Sequence, residues 1–327
     1  MTRKNFLPIF VMLFSLAGLV LAISGGVIRH AARTAGTATN FTFLYIKPGD
    51  GLLVVANSAL KAGLVNRAWH FSVTAKQKNL ETKLKAGEYR IQPGQRVQDL
   101  LQTIVAGKSH YRRLIVTEGV SVAQLELQMT ETGMFSWRDY KSPDEGSLLP
   151  ETYFYTRGGT ASASIQRMQD AMGGLLDALW EQRDATLPFK TKEEALILAS
   201  IVEKETGVSS ERPLVAAVFV NRLKKKMRLQ SDPTVVYGIT YGSPLGRPLK
   251  RKELREQTAY NTYRIAGLPP TPIANPGRAA LEAVFNPAKV SFLYFVADGT
   301  GGHAFAKTLR EHNQNVARWR KFQAESR

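Results

Sequence analysis

The chain contains no cysteine. That excludes a disulfide framework, thiolate metal sites and a cysteine nucleophile, while leaving the redox compartment open. Histidine is scarce as well: His30, His70, His110, His303 and His312 stand far apart, without His-Glu-x-x-His or any other tight ligand spacing. Neither a catalytic metal nor another cofactor is expected. Acidic residues are few, 27 Asp+Glu against 44 Lys+Arg, for a net charge of +17. Because the surplus is spread along the chain, it points to an anionic environment, whether membrane lipid, an acidic polymer or nucleic acid. With 327 residues, 44% of them hydrophobic, two domains of roughly 100–200 residues and a sizeable core are expected, not disorder.

Phe6 to Ile28 carries no charge, with Arg3 and Lys4 before it and Arg29 and Arg33 after it. As a helix it would span about 35 Å, enough for a hydrocarbon core of about 30 Å. It reads as a transmembrane anchor. The rival is a cleaved signal peptide, whose apolar core is shorter, about 7–15 residues. Basic residues at both ends leave orientation weakly set, with a mild preference for a short cytoplasmic N-terminus. Residues 29–40 are small and polar and read as a linker.

Beyond residue 40 a strand-turn-helix grammar repeats. Phe41 to Ile46, Lys47-Pro48-Gly49-Asp50 and Leu52 to Leu60 form one copy; Tyr89 to Ile91, Gln92-Pro93-Gly94-Gln95 and Val97 to Val105 form another. A weaker third runs Leu114 to Val116, Thr117 to Gly119 and Val122 to Met129. Two such units make a small βααβ-like module. Ser136 to Gly159, rich in Pro, Gly and aromatics, reads as a boundary loop. Helices are expected over Ala161 to Arg183, Thr191 to Glu205 and Glu211 to Lys225, then a strand over Phe292 to Ala297 and a basic amphipathic helix from about Phe305.

The helix from Thr191 opens with an expected capping box, Thr191 with Glu194, and is apolar all round at its middle, as a buried core helix is. Two carboxylates near its end, Glu203 and Glu205, lie about 200° apart around the axis, so they face different surroundings. Glu205 shares a stripe with Leu198, Ile201 and Val202. Apolar neighbours and the negative helix end both disfavour its ionised form, so its pKa should be raised. Such a group suits protonation of a glycosidic oxygen; the plainer role is a structural tie to an arginine or backbone amide.

Four further blocks together offer aromatic rings, amides and hydroxyls: Gln230, Asp232, Thr234 and Tyr237 within Arg228 to Tyr237; Tyr260, Asn261, Thr262 and Tyr263 after Ala259; Gly267 to Pro270; and Asn275 before Pro276-Gly277. That inventory suits stacking on sugars and bonding their hydroxyls, and equally suits turns with buried Tyr and Asn. Gly299 to Ala304 fits G-x-G-x-x-A, yet no strand is left to complete a βαβ unit and Trp319 stands where a ribose-binding acid belongs. A nucleotide site is rejected; a backbone-lined floor for a glycan, with His303 in contact, is the functional alternative to a structural histidine. Arg222 to Arg228 is basic and reads as a solvated face without the interleaved aromatics of single-strand nucleic-acid binders.

LASIVEKETG (Leu198 to Gly207), RLQSDPTVVYG (Arg228 to Gly238), AYNTYRIAGLPPTPIANPG (Ala259 to Gly277) and LYFVADGTGGHAF (Leu293 to Phe305) together closely resemble the endolytic murein transglycosylase family, MltG or YceG-like. The resemblance implies an α+β chain: residues 1–28 a cytoplasmic stub and transmembrane helix, 29–40 a linker, 41–110 a LysM-like module and 111–327 a YceG-like catalytic domain of mixed helices and strands. It implies a single-pass protein of the cell inner membrane with a periplasmic lytic-transglycosylase site, cutting the MurNAc-β-1,4-GlcNAc bond of peptidoglycan glycan strands. Glu205 is the implied catalytic residue, and Ala259-Tyr260-Asn261 the implied glycan-binding motif. Partners would be glycan strands, inner-membrane lipid and cell-wall synthases, with no nucleic acid. The alternative is a membrane-anchored peptidoglycan-binding scaffold for synthases, without catalysis.

Overall fold

The structure, a computed structural model, describes residues 6–325, with side chains from Phe10 onward. Arg3 and Lys4, in the expected stub, lie outside the described residues. Helix α1 (Phe6–Arg33) contains the apolar run. In that run the large apolar side chains stay exposed: Phe14 and Leu21 are each 71% exposed. The segment Phe10–Arg33 is long and apolar enough to cross a membrane.

The expected linker, which begins in the last turn of α1, proves to be packed. Ala31 and Ala32 are buried, Thr34 accepts from the Val97 amide at 3.0 Å, and Ala38 donates to the Gly63 carbonyl at 3.0 Å. Small residues suit a flexible tether and close packing alike. Here packing wins, since a Cβ on Gly36 would fall 2.1 Å from the Gly63 carbonyl oxygen.

The chain divides into two compact units, the first reaching Arg112 and regaining Tyr155–Gly158, the second holding Arg113–Phe154 and the remainder from Gly159. In the first, β1 (Thr42–Ile46), α2 (Leu52–Lys61), α3 (Ala68–Gln77), β2 (Gly87–Ile91) and α4 (Val97–Ala106) follow in order. β1 and β2 pair antiparallel, Thr42 opposite Ile91 and Ile46 opposite Gly87. Leu44, Ile46, Phe71, Tyr89, Leu100 and Ile104 fill the core. The repeated turns sit where expected, but α3 was not foreseen: AWHFSVTAKQ mixes apolar and polar residues, and only the spacing of buried His70, Phe71, Thr74 and Ala75 marks its inner face. Burial works to raise the pKa of Glu88, and the guanidinium groups of Arg112 and Arg157 overcome it, holding this carboxylate below its usual range.

The second unit holds all but the first residue of β3 (Arg112–Ile115) and all but the last of β4 (Thr152–Tyr155), together with α5 (Val122–Glu131), α6 (Ala161–Glu181), α7 (Lys192–Glu205), α8 (Arg212–Lys224), α9 (Asp232–Thr240), α10 (Arg278–Phe285), β5 (Tyr294–Ala297), β6 (His303–Ala306) and α11 (Leu309–Glu325). β3 pairs with β4, and β5 with β6 as an antiparallel hairpin. Every residue from Ile197 to Val202 on α7 is buried, and α7 packs against α6, α8 and α10. This is the helix that carries Glu205.

Four sequence expectations change. The boundary loop at 136–159 contains β4 and buries Leu148 and Leu149. The last helix starts at Leu309, because Phe305 lies in β6. Residues 232–240, in a block read as sugar contacts or turns, form α9, whose proline falls in the first turn, where its missing N–H costs nothing. The capping box of α7 is half made: Thr191 accepts the Glu194 amide, but the Glu194 carboxylate takes the Lys190 amide. The reciprocal box occurs on α5, between Ser121 and Gln124.

Candidate functional site

Glu205 is the last residue of α7, and its half-buried side chain meets the start of α9. Ser231, buried, donates its hydroxyl to Glu205 Oε1 at 2.5 Å. Burial pushes the Glu205 pKa up to about 7; the Ser231 bond opposes this, the Asp232 charge adds to it, and His303 and Arg222 oppose it. The position at the helix C-terminus works in the same direction as burial. Arg222 is held away from direct pairing. Buried on α8, it donates to the Leu293 carbonyl at 2.7 Å and to the Leu229 carbonyl at 2.6 Å. The basic stretch is therefore a solvated face only in part: Lys224 to Lys226 are exposed, while Arg222 cross-ties three segments.

Hydroxyl groups brace Ser231 from behind. The Thr262 hydroxyl accepts from the Ser231 amide at 2.9 Å, Thr234 donates to the Ser231 carbonyl at 2.7 Å, and the two threonine hydroxyls meet at 2.9 Å. Both threonines are fully buried. Asn261 is equally enclosed: its amide donates to the Glu253 and Glu256 carbonyls and accepts from the Tyr263 amide. Asn275 accepts from the Leu148 amide and donates to the Val120 carbonyl and Glu145. With every polar group already engaged, these four side chains work as internal braces in this conformation.

Buried Tyr237 aside, the other candidates are exposed or half-buried, and Asp232, Tyr263 and His303 among them interact electrostatically with Glu205. Gln230 is exposed, with a left-handed φ of 54°, and Asp232 is exposed while accepting from the Tyr263 hydroxyl at 2.7 Å. Tyr260 bonds Thr271 and packs 5.1 Å, ring to ring, from buried Tyr237. Gly238 permits this approach, since a Cβ there would come 2.8 Å from that of Tyr260. His303 is clamped by Glu211, which accepts its backbone amide at 2.8 Å and meets its Nδ1 at 2.6 Å. The Gly299 to Gly302 loop is a hairpin turn whose Thr300 and Gly302 amides bond Asp298, so those N–H groups are already used. Glu203, by contrast, takes the Gly277 amide at 2.9 Å and lies 3.6 Å from Arg212. It is the structural tie, and its neighbour two residues on is not.

Asp232 also lines a cavity of about 600 Å³ together with Lys204, Tyr237 and Gly119. Ser231, Arg222, Glu211 and Lys204 were missed in the sequence reading. The Q-S-D triplet could have pointed to Ser231, but a hydroxyl joining two helices has no local signature.

Chemically, this is a site built around one carboxyl group that carries its proton close to neutrality, the property of a general acid. The YceG-like family profile matches residues 44–318 of the chain. An endolytic murein transglycosylase of Bacillus subtilis (strain 168) is 30% identical over 303 residues, covering 82% of each sequence. One of Streptococcus pneumoniae serotype 2 (strain D39) is 30% identical over 322 residues, covering 83% of this chain but 57% of its own length. The crystal structure of a yceG-like protein from Listeria monocytogenes superposes with a TM-score of 0.51 at 28% identity, covering 85% of this chain and 99% of that one. The chain belongs to the YceG-like family, the family of the endolytic murein transglycosylases.

Proposed function

We propose that this protein is a membrane-anchored endolytic murein transglycosylase cleaving the MurNAc-β-1,4-GlcNAc bond of nascent peptidoglycan strands, with Glu205 as its acid and then its base. The observation that carries the reading is the half-buried Glu205 carboxyl, raised to about 7 and gripped by Ser231. The protonated carboxyl gives its proton to the departing glycosidic oxygen as the bond to the anomeric carbon breaks. The resulting carboxylate takes the proton of the muramic 6-hydroxyl, whose oxygen bonds to that carbon. The product is a 1,6-anhydro ring, with no water added and Glu205 reprotonated.

Because the nucleophile belongs to the substrate, no second carboxylate is required. Gln230, Asp232, Tyr260, Tyr263 and His303 are the proposed glycan contacts. Thr234, Tyr237, Asn261, Thr262 and Asn275 hold them in place. The β-α-α-β order of the first unit supports a LysM-like module over 41–110, ahead of a catalytic domain at 111–327. The exposed apolar α1 supports single-pass insertion in the inner membrane with both units in the periplasm. Inner-membrane lipid and cell-wall synthases are the proposed neighbours.

Incubating the protein with glycan strands and weighing the products tests the reaction. Anhydro-muramic ends are expected; products heavier by one water indicate a hydrolase, and intact strands that remain bound indicate the non-catalytic scaffold.

A further inference from the structure

Lys204 immediately precedes Glu205, yet its side chain lines the cavity of about 600 Å³ that Glu205 does not line. Its ammonium donates to the Gly119 carbonyl at 3.1 Å. Nearby carboxylates are committed elsewhere. Glu118 and Glu203 face Arg212, and Asp232 accepts from Tyr263. Glu145, behind the wall, accepts from the Val122 amide and Asn275, and burial pushes its pKa up toward the neutral form. Among the described residues the ammonium has no salt-bridge partner, and it shares the cavity lining with the Asp232 carboxylate.

Pro233, Val236, Pro244, Pro248, Leu249 and Ile273 make the wall mostly apolar, with Ser121, Gln124, Thr240 and Ser243 spaced among them. Tyr237 is the one aromatic ring in that lining, and its hydroxyl points to Glu145 at 3.5 Å. A hexose needs stacking faces and many hydrogen-bond partners. Alkyl groups interspersed with a few hydroxyl and amide side chains, one aromatic ring and one cation suit a short peptide of small apolar residues bearing a carboxylate.

We propose that this cavity seats the stem peptide carried by the muramic residue at the cleavage point, with Lys204 binding a peptide carboxylate. The inference rests on the proposed transglycosylase reading, in which that residue lies against Glu205. Asp232, lining the cavity and following Ser231, joins the two places. The enzyme would therefore select strands that still carry acidic peptides over denuded ones.

The test measures binding, not turnover. The full-length chain carrying Glu205→Gln, in detergent, is titrated calorimetrically with a disaccharide-peptide, the same compound with its peptide carboxylates amidated, and the peptide-free disaccharide. The free acid should bind best. Lys204→Met should weaken it about threefold, as loss of a solvent-accessible charge pair does, bringing it level with the amide; Lys204→Arg should restore the preference. Equal affinity for acid and amide, equal weakening of both by Lys204→Met, or no binding of any of the three overturns the proposal. If Lys204→Met fails to fold for want of the Gly119 contact, the acid-against-amide comparison on the Lys204 protein still decides. Strand cleavage by the unmutated chain is scored separately, so a failed reaction and a failed peptide subsite give different results.

Discussion

The Ser231 hydroxyl lies 2.5 Å from Glu205 Oε1 and joins the last residue of α7 to the residue that precedes α9. The bond favours the ionised carboxyl, burial favours the neutral one, and burial prevails. Ser231 is itself fixed through its backbone amide and carbonyl by Thr262 and Thr234, so its hydroxyl is free to serve Glu205. Acid strength and position are thereby set by different groups.

Glu205→Gln should lower strand cleavage by about 10²- to 10⁴-fold, the usual worth of a general acid, with circular dichroism unchanged. Stability should move the other way. The native carboxyl keeps its proton to about pH 7, against 4.5 for the ordinary group. Between those values the native state binds more protons than the unfolded state, so stability falls as pH rises and the deficit is complete above pH 7. Glu205→Gln should recover up to about 3 kcal/mol at pH 8 and almost nothing at pH 4, read from urea unfolding at the two values. In the unmutated enzyme, cleavage should decline as pH climbs through about 7.

Ser231→Ala removes the hydroxyl that stabilises the carboxylate but leaves the backbone bonds to Thr262 and Thr234. The Glu205 pKa should rise further, and the alkaline limb of the pH–rate profile should move to higher pH. A limb that stays in place or moves down refutes this role.

Arg222→Met strands the carbonyls of Leu229 and Leu293 in a buried setting. A loss of about 3 kcal/mol is expected in thermal or urea unfolding. Arg222→Lys should restore only part of it, because a single ammonium cannot reproduce the fork of guanidinium donors.

Truncations can distinguish a packed segment from a tether. A chain beginning at Ile28 keeps Ala31, Ala32 and the Thr34 bond to Val97 and should fold with an unchanged melting temperature for the first unit. One beginning at Phe41 lacks them and should melt earlier, by several degrees for each kcal/mol lost.

Much of the local structure was legible. Apolar spacing and turn chemistry located α2, α4, α6 and α7, and the Lys47-Pro48-Gly49-Asp50 and Gln92-Pro93-Gly94-Gln95 turns precede α2 and α4. α3 was missed because its inner face shows only in four residues and no side chain caps its start. The aromatic and amide blocks were visible, but Asn261 and Asn275 look the same in sequence as residues facing a ligand. Burial, which made them braces, is a property of the assembled chain.

The sequence by itself determined the apolar span, the helix that ends in Glu205 and the four blocks that match the family, because each depends on residue order and periodicity within a short stretch. Tertiary structure decided what each glutamate meets: burial raises the pKa of both, but Glu203 is tied to a backbone amide and an arginine while Glu205 meets a single serine hydroxyl. Glu203 and Glu205 differ by two positions on one helix, and only packing brings the Gly277 amide and Arg212 to the first and Ser231 to the second. A carboxyl's proton affinity follows from the solvent and charges around it, and those are supplied by residues on other elements, 9 to 74 positions away for the partners named.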